Sequence, residues 1–368
     1  MKLKIIMMMV LLLSGCQMFA FPFEFNASIK QIVIGQRSSY IIDENNVLFG
    51  LGSAYGDGPK ELTKDIIQVI GDWNHTVALS SDGTLWEWGS SRNFSTPSFN
   101  SEDVLYFVSD DVRKIWGNDE GLTYILMDDY TLKVNGPGDC RVSPYNPNES
   151  LASLNIYHVL HNVEDLYVES HTSNAIAKTK DGRYFIWGNK LNFNLGYDII
   201  DESISEPLQT CIQKPIEISF DMDIKTMTLA KGTLYIIDNN DVLYGLGNNE
   251  SYRINDSNQL MIDTPYKIME NVLEVQSTQF STFILTKDKT LYGLSNHLGL
   301  LGLGHEDIIS SPIKLMENVS MFSSGVVTTM VLKENGDIFA WGNNQHSQMG
   351  VANDKTYRKP IKIGQVRP

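Results

Sequence analysis

The sequence predicts an all-β chain of four-stranded blades closed into a seven-bladed β-propeller, and three observations predict it. The first is a pattern. Asn335 and Gly336 form a turn pair that opens a short alternating strand, with Phe339 and Trp341 on one face, Ile338 and Ala340 on the other, and Gly342 at its end. The second is recurrence: the pattern returns at Asn46 to Gly52, Asp82 to Gly89, Tyr130 to Gly136, Asp181 to Gly188, Asp241 to Gly247 and Lys289 to Ser295. The closing positions 52, 89, 136, 188, 247, 295 and 342 are spaced by 37, 47, 52, 59, 48 and 47 residues, a period near 50 built of short aromatic strands. The third is the lack of any sustained helical period between the copies.

Each copy holds more than this one strand. Before it lies a second apolar run, as in Tyr40 to Ile42, Thr76 to Leu79, Leu234 to Ile237 and Thr329 to Leu332, joined to it by Asp-Gly, Asn-Gly or a polar equivalent, as a tight hairpin requires. Upstream is a Val-x-x-Val-like stretch, seen at 66–69, 163–166, 272–275 and 319–322. Downstream is a Pro-x-x-aliphatic run at 59–62, 215–218, 265–268, 312–315 and 360–363, where proline at the first residue of an edge strand forfeits no ladder bond. A solenoid would need distinct polar caps at both ends, and an immunoglobulin-like array would need longer units. The termini look complementary. Lys359 to Ile363 has the outer-strand pattern with no repeat after it, and Ile29 to Ile32 opens the first copy with no outer strand before it. Pairing of N- and C-terminal strands is expected to close the ring, with Lys359 to Ile363 completing the first sheet.

The composition is acidic, with 29 basic and 44 acidic side chains and a formal charge of −15. That balance argues against a nucleic-acid partner, because neutralising phosphates takes concentrated Lys and Arg. Lys2 and Lys4 precede an apolar run, Ile5 to Leu13, too short for an ordinary transmembrane helix. The run ends in Leu13-Ser14-Gly15-Cys16, which resembles the bacterial lipoprotein box, in which cleavage exposes a cysteine that receives acyl chains such as palmitate. The domains expected are therefore a lipoprotein signal peptide over 1–15, a lipidated tether over 16–28 and the propeller over 29–368. Removing Lys2 and Lys4 leaves 27 basic side chains against 44 acidic ones, a mature charge of −17. By the same resemblance, Gln17 rather than aspartate after the cysteine favours the outer membrane, with the chain held to the bilayer through acyl chains at Cys16.

The repeats resemble the regulator of chromosome condensation family, whose blade motif runs from glycine and His-Thr through a short strand, Asp-Gly, an aromatic strand, Trp-Gly-x-Asn and Leu-Gly. The matching stretches are Gly71 to Gly89, Asp181 to Gly196 and Asn335 to Gly350, and the resemblance spans residues 29 to 363. The third copy departs most, ending Leu132 to Gly136 without an aromatic residue, and the sixth replaces its last glycine with Ser295. The resemblance implies the propeller fold and two kinds of role. Secreted bacterial relatives dock a loop-rich face on a protein partner; the eukaryotic role is guanine-nucleotide exchange on a small GTPase.

No catalytic, cofactor or metal constellation emerges. His75 alone matches the family's His-Thr position, and a turn-supporting role suits it better than catalysis. His158, His161 and His171 lack a carboxylate or cysteine at ligand spacing. The pairs Asp110-Asp111 and Asp128-Asp129 lack the alternation of a calcium loop, and Gly299 to Gly304 lacks the lysine of a phosphate loop. Trp88, Trp187 and Trp341 occupy the repeat's core position. Cys140 and Cys211 follow the end strands of neighbouring copies, and two readings stay open: a bridge between blades, or two isolated thiols. The leading expectation is a monomeric, non-enzymatic protein-interaction module with a protein partner still to be identified. The longest between-blade segments, 136–163 and 188–215, are expected to supply Tyr145, Tyr157, Phe193 and Tyr197 as candidate anchors. The alternative is an exchange-factor-like effector acting on a small GTPase.

Overall fold

The seven repeats fold into seven antiparallel sheets, each taking its four strands in chain order from the axis outward. The computed structural model describes residues 23–71, 75–89, 106–118, 121–135, 156–170, 172–189, 211–295, 297–351 and 355–367. Blade one comprises Ile29–Ile34, Ser38–Asp43, Leu48–Gly52 and Gly56–Thr63; blade two Ile66–Gly71, His75–Ser80, Leu85–Gly89 and Tyr106–Ser109; blade three Val112–Gly117, Thr123–Met127, Leu132–Asn135 and Tyr157–Leu160. Blade four comprises Val163–Val168, Ala175–Thr179, Tyr184–Asn189 and Cys211–Ile218; blade five Ile224–Ala230, Thr233–Asp238, Leu243–Asn248 and Met261–Met269. Blade six comprises Val272–Ser277, Thr282–Thr286, Leu291–Leu294 and Ile313–Met316, and blade seven Val319–Ser324, Thr328–Lys333, Asp337–Asn343 and Thr356–Val366. The first strand of each blade lies beside the first strand of the next, and that of blade seven lies beside Ile29–Ile34, so the ring is closed.

The core sits between blades rather than within them. Each of the seven buried apolar clusters joins residues of two neighbouring blades. The second strand shows why. Tyr40 and Ile42 face blade two while Ile41 faces blade seven, so both faces are buried and the strand reads as an unbroken apolar run. The inner strands share a second device. All seven carry a β-bulge at the same register, after Ile29, Ile66, Val112, Val163, Ile224, Val272 and Val319. A bulge adds local twist, and repeating it in every blade lets each inner strand turn away from its neighbour around the axis. Side-chain amides then stitch adjacent inner strands together. Gln68 Nε2 donates to the Ile115 carbonyl at 2.5 Å and Gln68 Oε1 accepts from Ile115 N–H at 3.0 Å. Gln276 repeats this against Phe322 and Ser324.

Ring closure follows the expected pairing of terminal strands, but at a different sheet. Thr356–Val366, which contains Lys359 to Ile363, is the outer strand of blade seven, and blade one has its own outer strand, Gly56–Thr63. The chain's N-terminal strand, Phe23–Phe25, lies within the span read as tether. It pairs in parallel with Gly364–Val366 as a fifth strand on blade seven. From there Asn26 to Ser28 enters the inner strand of blade one as any other blade-to-blade turn would. The Ser28 carbonyl accepts from Glu44 N–H at 3.0 Å, as the Asp65 carbonyl does from Ser81 N–H at 2.7 Å and the Asn318 carbonyl from Glu334 N–H at 2.8 Å. Phe25 is buried in the cluster shared by blades seven and one and meets Phe49 edge-on, with ring centroids 4.8 Å apart. Outer-strand prolines differ from expectation in place only. Pro59, Pro215, Pro265 and Pro360 lie inside their strands rather than at the first residue, tolerated because the outer edge of the sheet is open at each of them, including Pro360, since Phe23–Phe25 covers only 364–366.

Candidate functional site: the loop-bearing face

Antiparallel order within each blade sorts the connections onto two faces. Strands two and three, and one blade and the next, join on one face by tight turns. Strands one and two, and three and four, join on the other, where the described segments 249–260, 297–312 and 344–351 lie. The strand ends that bound 90–105, 136–155 and 190–210, segments outside the described residues, are placed there too. On the tight-turn face the first residue of five inner strands donates its N–H to the hairpin of the preceding blade. Ile66 bonds Asn46, Val112 bonds Gly83, Val163 bonds Tyr130, Val272 bonds Asp241 and Val319 bonds Lys289, all at 2.9–3.0 Å. At the seam, where no covalent turn exists, the Gly336 carbonyl takes Val366 N–H instead at 2.8 Å. Charges cluster on this face. Asp241 lies between Lys225 and Lys287, and hydrogen bonds from first Lys225 and then Lys287 hold its carboxyl below the usual range.

On the loop face, each segment described leans over the next blade. The segment of blade five is organised by buried Asn249, whose amide donates to Asn255 Oδ1 and to the carbonyls of Ser257 and Gln259 while Oδ1 accepts from Ile254 and Asn255 N–H. Four residues on, the fully buried Arg253 reaches into the first turn of blade six, donating to Ser277 Oγ at 3.3 Å and to the Thr278 and Gln279 carbonyls at 2.7 and 2.6 Å. Blade seven repeats the device across the seam. Asn344 donates to the Val351 carbonyl and accepts from Met349 N–H, and Gln348 donates to the Gln36 carbonyl of blade one. Blade six lays Leu300 and Leu301 against blade seven, where the Leu300 carbonyl accepts from Trp341 Nε1 at 2.9 Å.

The Leu-Gly part of the repeat is the apolar plug of this lap. Gly50, Gly245 and Gly293 occupy the centre of the third strand, where a Cβ would strike Tyr55, Ile268 and Leu301 at 2.7, 2.9 and 2.7 Å. Tyr55 and Leu301 are plugs from the connecting segment, as is Ile254 above Gly245. Gly350, at φ +74°, follows the plug Met349 and lies where a Cβ would be 2.5 Å from Leu51 of blade one. Blade two breaks the scheme. Glu87 stands where the other blades carry Gly50, Val134, Ile186, Gly245, Gly293 and Ala340. It is buried, and its Oε2 lies 2.9 Å from His75 Nε2. His75 thus begins a strand and partners a buried carboxylate. The signal for Glu87 was an acid at the centre of the run Leu85 to Trp88.

The histidines and cysteines singled out by sequence meet different surroundings. His158 and His161 lie with ring centroids 4.1 Å apart, tilted by 42°, on the outer strand and following turn of blade three, and His161 Nδ1 is 3.2 Å from Thr131 Oγ1. Among the described residues no three His, Cys, Asp or Glu side chains gather as a metal would need, and no helix is long and apolar enough to cross a membrane. Trp88, Trp187 and Trp341 are core residues, as expected. Tyr157 opens the outer strand of blade three and is half-buried against the cluster shared by blades three and four. Cys211 begins the outer strand of blade four, with its backbone paired to Asn189. Cys16, Cys140, Tyr145, His171, Phe193 and Tyr197 lie outside the described residues.

Fold and face together define a seven-bladed propeller whose blades interlock by lapped loops. Residues 335–367, the hairpin strand, loop and outer strand of blade seven, match the family model of the regulator of chromosome condensation (RCC1) repeat. No curated protein matches the chain in sequence. Among solved structures, yeast RCC1 (Prp20) bound to Kap60 superposes with a TM-score of 0.67 at 16% identity, over 85% of this chain and 80% of that one. Human WBSCR16 superposes with a TM-score of 0.67 at 14% identity, over 85% of this chain and 89% of that one. Prp20p from Saccharomyces cerevisiae, described together with its binding properties to Gsp1p and histones, superposes at 0.51 with 14% identity, over 91% and 76%. At these identities the likeness is one of fold.

Proposed function

We propose that this chain is a non-enzymatic protein-interaction propeller of the bacterial envelope, held to the outer membrane by acyl chains on Cys16. The observation that carries the interaction reading is the division of the two faces. One face is closed by short turns with a repeating backbone hydrogen-bond pattern, and the strand ends that bound every long connection lie on the other, on a ring whose cores lie between blades. Such a ring presents variable segments on a rigid support. Structures sharing the fold include one solved with a protein bound. The anchor reading rests on Lys2 and Lys4, the run Ile5 to Leu13 and the box Leu13 to Cys16.

Two measurements test this reading. Mass spectrometry of the mature N-terminus should find an acylated Cys16, and Cys16→Ala should abolish the modification; an intact Met1 overturns the anchor. Affinity capture from detergent-solubilised envelopes should recover one partner at a fixed stoichiometry, confirmed by reconstitution from purified components. Accelerated nucleotide release from a small GTPase, without an envelope partner, would favour the exchange-factor alternative instead.

A further inference from the structure

Among the described residues, blades five and six carry most of the exposed large apolar side chains. Of the seven in the described part of the chain, six, all but Phe107 of blade two, belong to these two blades. Leu273 lies towards the tight-turn face and Tyr266 on the outer edge of blade five. The other four lie at the loop-bearing end of the two blades. Leu260, 68% exposed, ends the segment that precedes the outer strand of blade five; Leu298 and Ile308, 52% and 49% exposed, lie in the corresponding segment of blade six; Ile313 begins that blade's outer strand. Single exposed leucines need no explanation, but a run of them on the same shoulder of consecutive blades does.

The fold does not leave them out for want of a core. The same segments bury Ile254 above Gly245 and Leu301 above Gly293, so each segment sends one apolar side chain inward and another outward. The segments are also pinned, by Asn249 and Arg253 in blade five and by the bonds from Ser295 N–H to the Ile309 carbonyl and from Gly304 N–H to the Arg358 carbonyl in blade six. The outward side chains are therefore presented on a preorganised surface, which reduces the ordering cost of binding.

Their surroundings are acidic. Asp256 and Asp263 flank Leu260 and are exposed without a cationic partner, and Asp307, its side chain 86% exposed, precedes Ile308. Residues 296–313 contain Glu306 and Asp307 and no lysine or arginine. Arg358 of blade seven, however, pairs with Glu306, His305 Nδ1 lies 3.2 Å from Asp307 Oδ2, and the stem of exposed Lys359 packs on Gly304. The acidic balance is therefore carried chiefly by Asp256, Asp263 and Asp307. The basic residues on the outer strands of these blades, Lys267 and Lys314, are each engaged by an acid of their own strand end, Glu270 and Glu317. Exposed apolar side chains interspersed with acids are complementary to a partner with apolar side chains among lysines or arginines.

We infer that the loop-side shoulder of blades five and six is a docking surface for a cationic, apolar-bearing segment of a partner protein, with Leu260, Leu298 and Ile308 as anchors and Asp256, Asp263 and Asp307 as the steering charges. This rests on the reading of the chain as an interaction module and names which part of the ring does the work.

The test uses the full chain and a defined probe, a fluorescein-labelled peptide of alternating lysine and leucine pairs, titrated at low and physiological salt. Binding should weaken at higher salt. It should fall at least tenfold in Leu260→Ser/Leu298→Ser/Ile308→Ser, and comparably in Asp256→Lys/Asp307→Lys, while Phe107→Ser on blade two leaves it unchanged. Hydrogen exchange with the probe bound should show protection at 249–263 and 297–313. Each variant should keep the parent thermal transition, since none of these side chains is buried. Equal loss in Phe107→Ser, or protection confined to 136–156 and 190–210, overturns the assignment while leaving the interaction module standing. Binding that no variant alters overturns it too. If the envelope partner of the preceding section is captured and its binding is insensitive to the triple variant, the shoulder is not the docking surface. If no partner is found at all, the broader reading fails independently of the peptide result. Uptake by phosphatidylglycerol vesicles in place of the peptide, lost in the triple variant, would point to a lipid surface and also overturn it.

Discussion

The two faces of the ring solve the same problem, joining neighbouring blades, by different physics. The tight-turn face uses the backbone. A hairpin carbonyl accepts from the first N–H of the next inner strand, a contact that any sequence able to make the turn can supply. The loop face uses side chains. Asn249, Arg253, Asn344 and Gln348 satisfy buried backbone groups, and Tyr55, Ile254, Leu301 and Met349 fill the space above small residues. The backbone solution tolerates substitution but permits little variety. The side-chain solution admits long segments of different composition, each replaceable in its own blade. Blade two, where a buried acid, Glu87, beside His75 stands at the position that is glycine in three other blades, shows how far that freedom extends. The difference teaches that invariance and variation can share one ring, because each connection adds only a plug or two, such as Leu301 or Met349, to cores built mainly from the strands of two blades.

The largest expected effect lies at the seam, where the covalent turn is missing. Phe25→Ala should cost about 3–5 kcal/mol, the range for truncating a buried aromatic residue. Chemical denaturation should show the loss, and amide exchange should quicken in both Ile29–Ile34 and Thr328–Lys333 because Phe25 packs on blades one and seven. A cost under about 1 kcal/mol would mean that the ring closes without its N-terminal strand.

On the loop face, Arg253→Ala removes the donors to Ser277 Oγ and to the Thr278 and Gln279 carbonyls, and empties a fully buried site. Leaving buried carbonyls unpaired and a cavity behind them should cost about 3 kcal/mol. Arg253→Lys should recover only part of this, because an ammonium lacks the planar fork that reaches two carbonyls at once. Full recovery by lysine would reduce the role of Arg253 to its charge.

On the tight-turn face, Gly336 and Gly182 separate turn strain from seam contact. Both are left-handed, with φ of +85° and +82°, but a Cβ on Gly336 would lie 2.6 Å from the Val366 carbonyl oxygen whereas one on Gly182 would meet nothing within 4 Å. Gly182→Ala should cost about 1 kcal/mol from the left-handed backbone alone. Gly336→Ala should cost clearly more, with the excess appearing as exposure of the outer strand of blade seven. Equal costs would show that the Gly336–Val366 contact is dispensable.

The smallest effect is expected on the inner strands that both faces share. Burial raises the pKa of Glu274 above the usual carboxylate range, offset in part by the hydrogen bond from Gln276 Nε2 at 2.7 Å. The native state therefore holds this proton more tightly than the unfolded chain, and ionising Glu274 weakens the fold as pH rises through the carboxylate range. Glu274→Gln should be more stable than the parent at neutral pH, with the gain vanishing towards about pH 4. A gain independent of pH would assign the effect to packing.

Much of the ring was legible because its signals are local. Each hairpin is written in adjacent residues, a turn pair between two apolar runs, and seven in-phase copies identify seven blades. The outer strands of blades two and three, Tyr106–Ser109 and Tyr157–Leu160, lack the proline that marks five others, so nothing adjacent announced them. That is also why Tyr157 was placed in a long connection when it begins a strand. The loop face was legible as a place but not as a mechanism. The Asn and Leu-Gly positions of the repeat were recognisable, yet their partners are in the next blade.

Sequence alone determined the fold class, the number of blades, the strand hairpins and the burial of Trp88, Trp187 and Trp341, since these follow from periodicity within a few residues. Tertiary structure decided the rest. It set which sheet receives the terminal strands, what Arg253 and Gln348 reach, why Glu87 can be buried, and which apolar side chains of blades five and six remain outside. Each of these depends on contacts between residues far apart in the chain or on different blades. In a ring whose cores lie between its units, no single repeat contains the information about what its neighbour will cover.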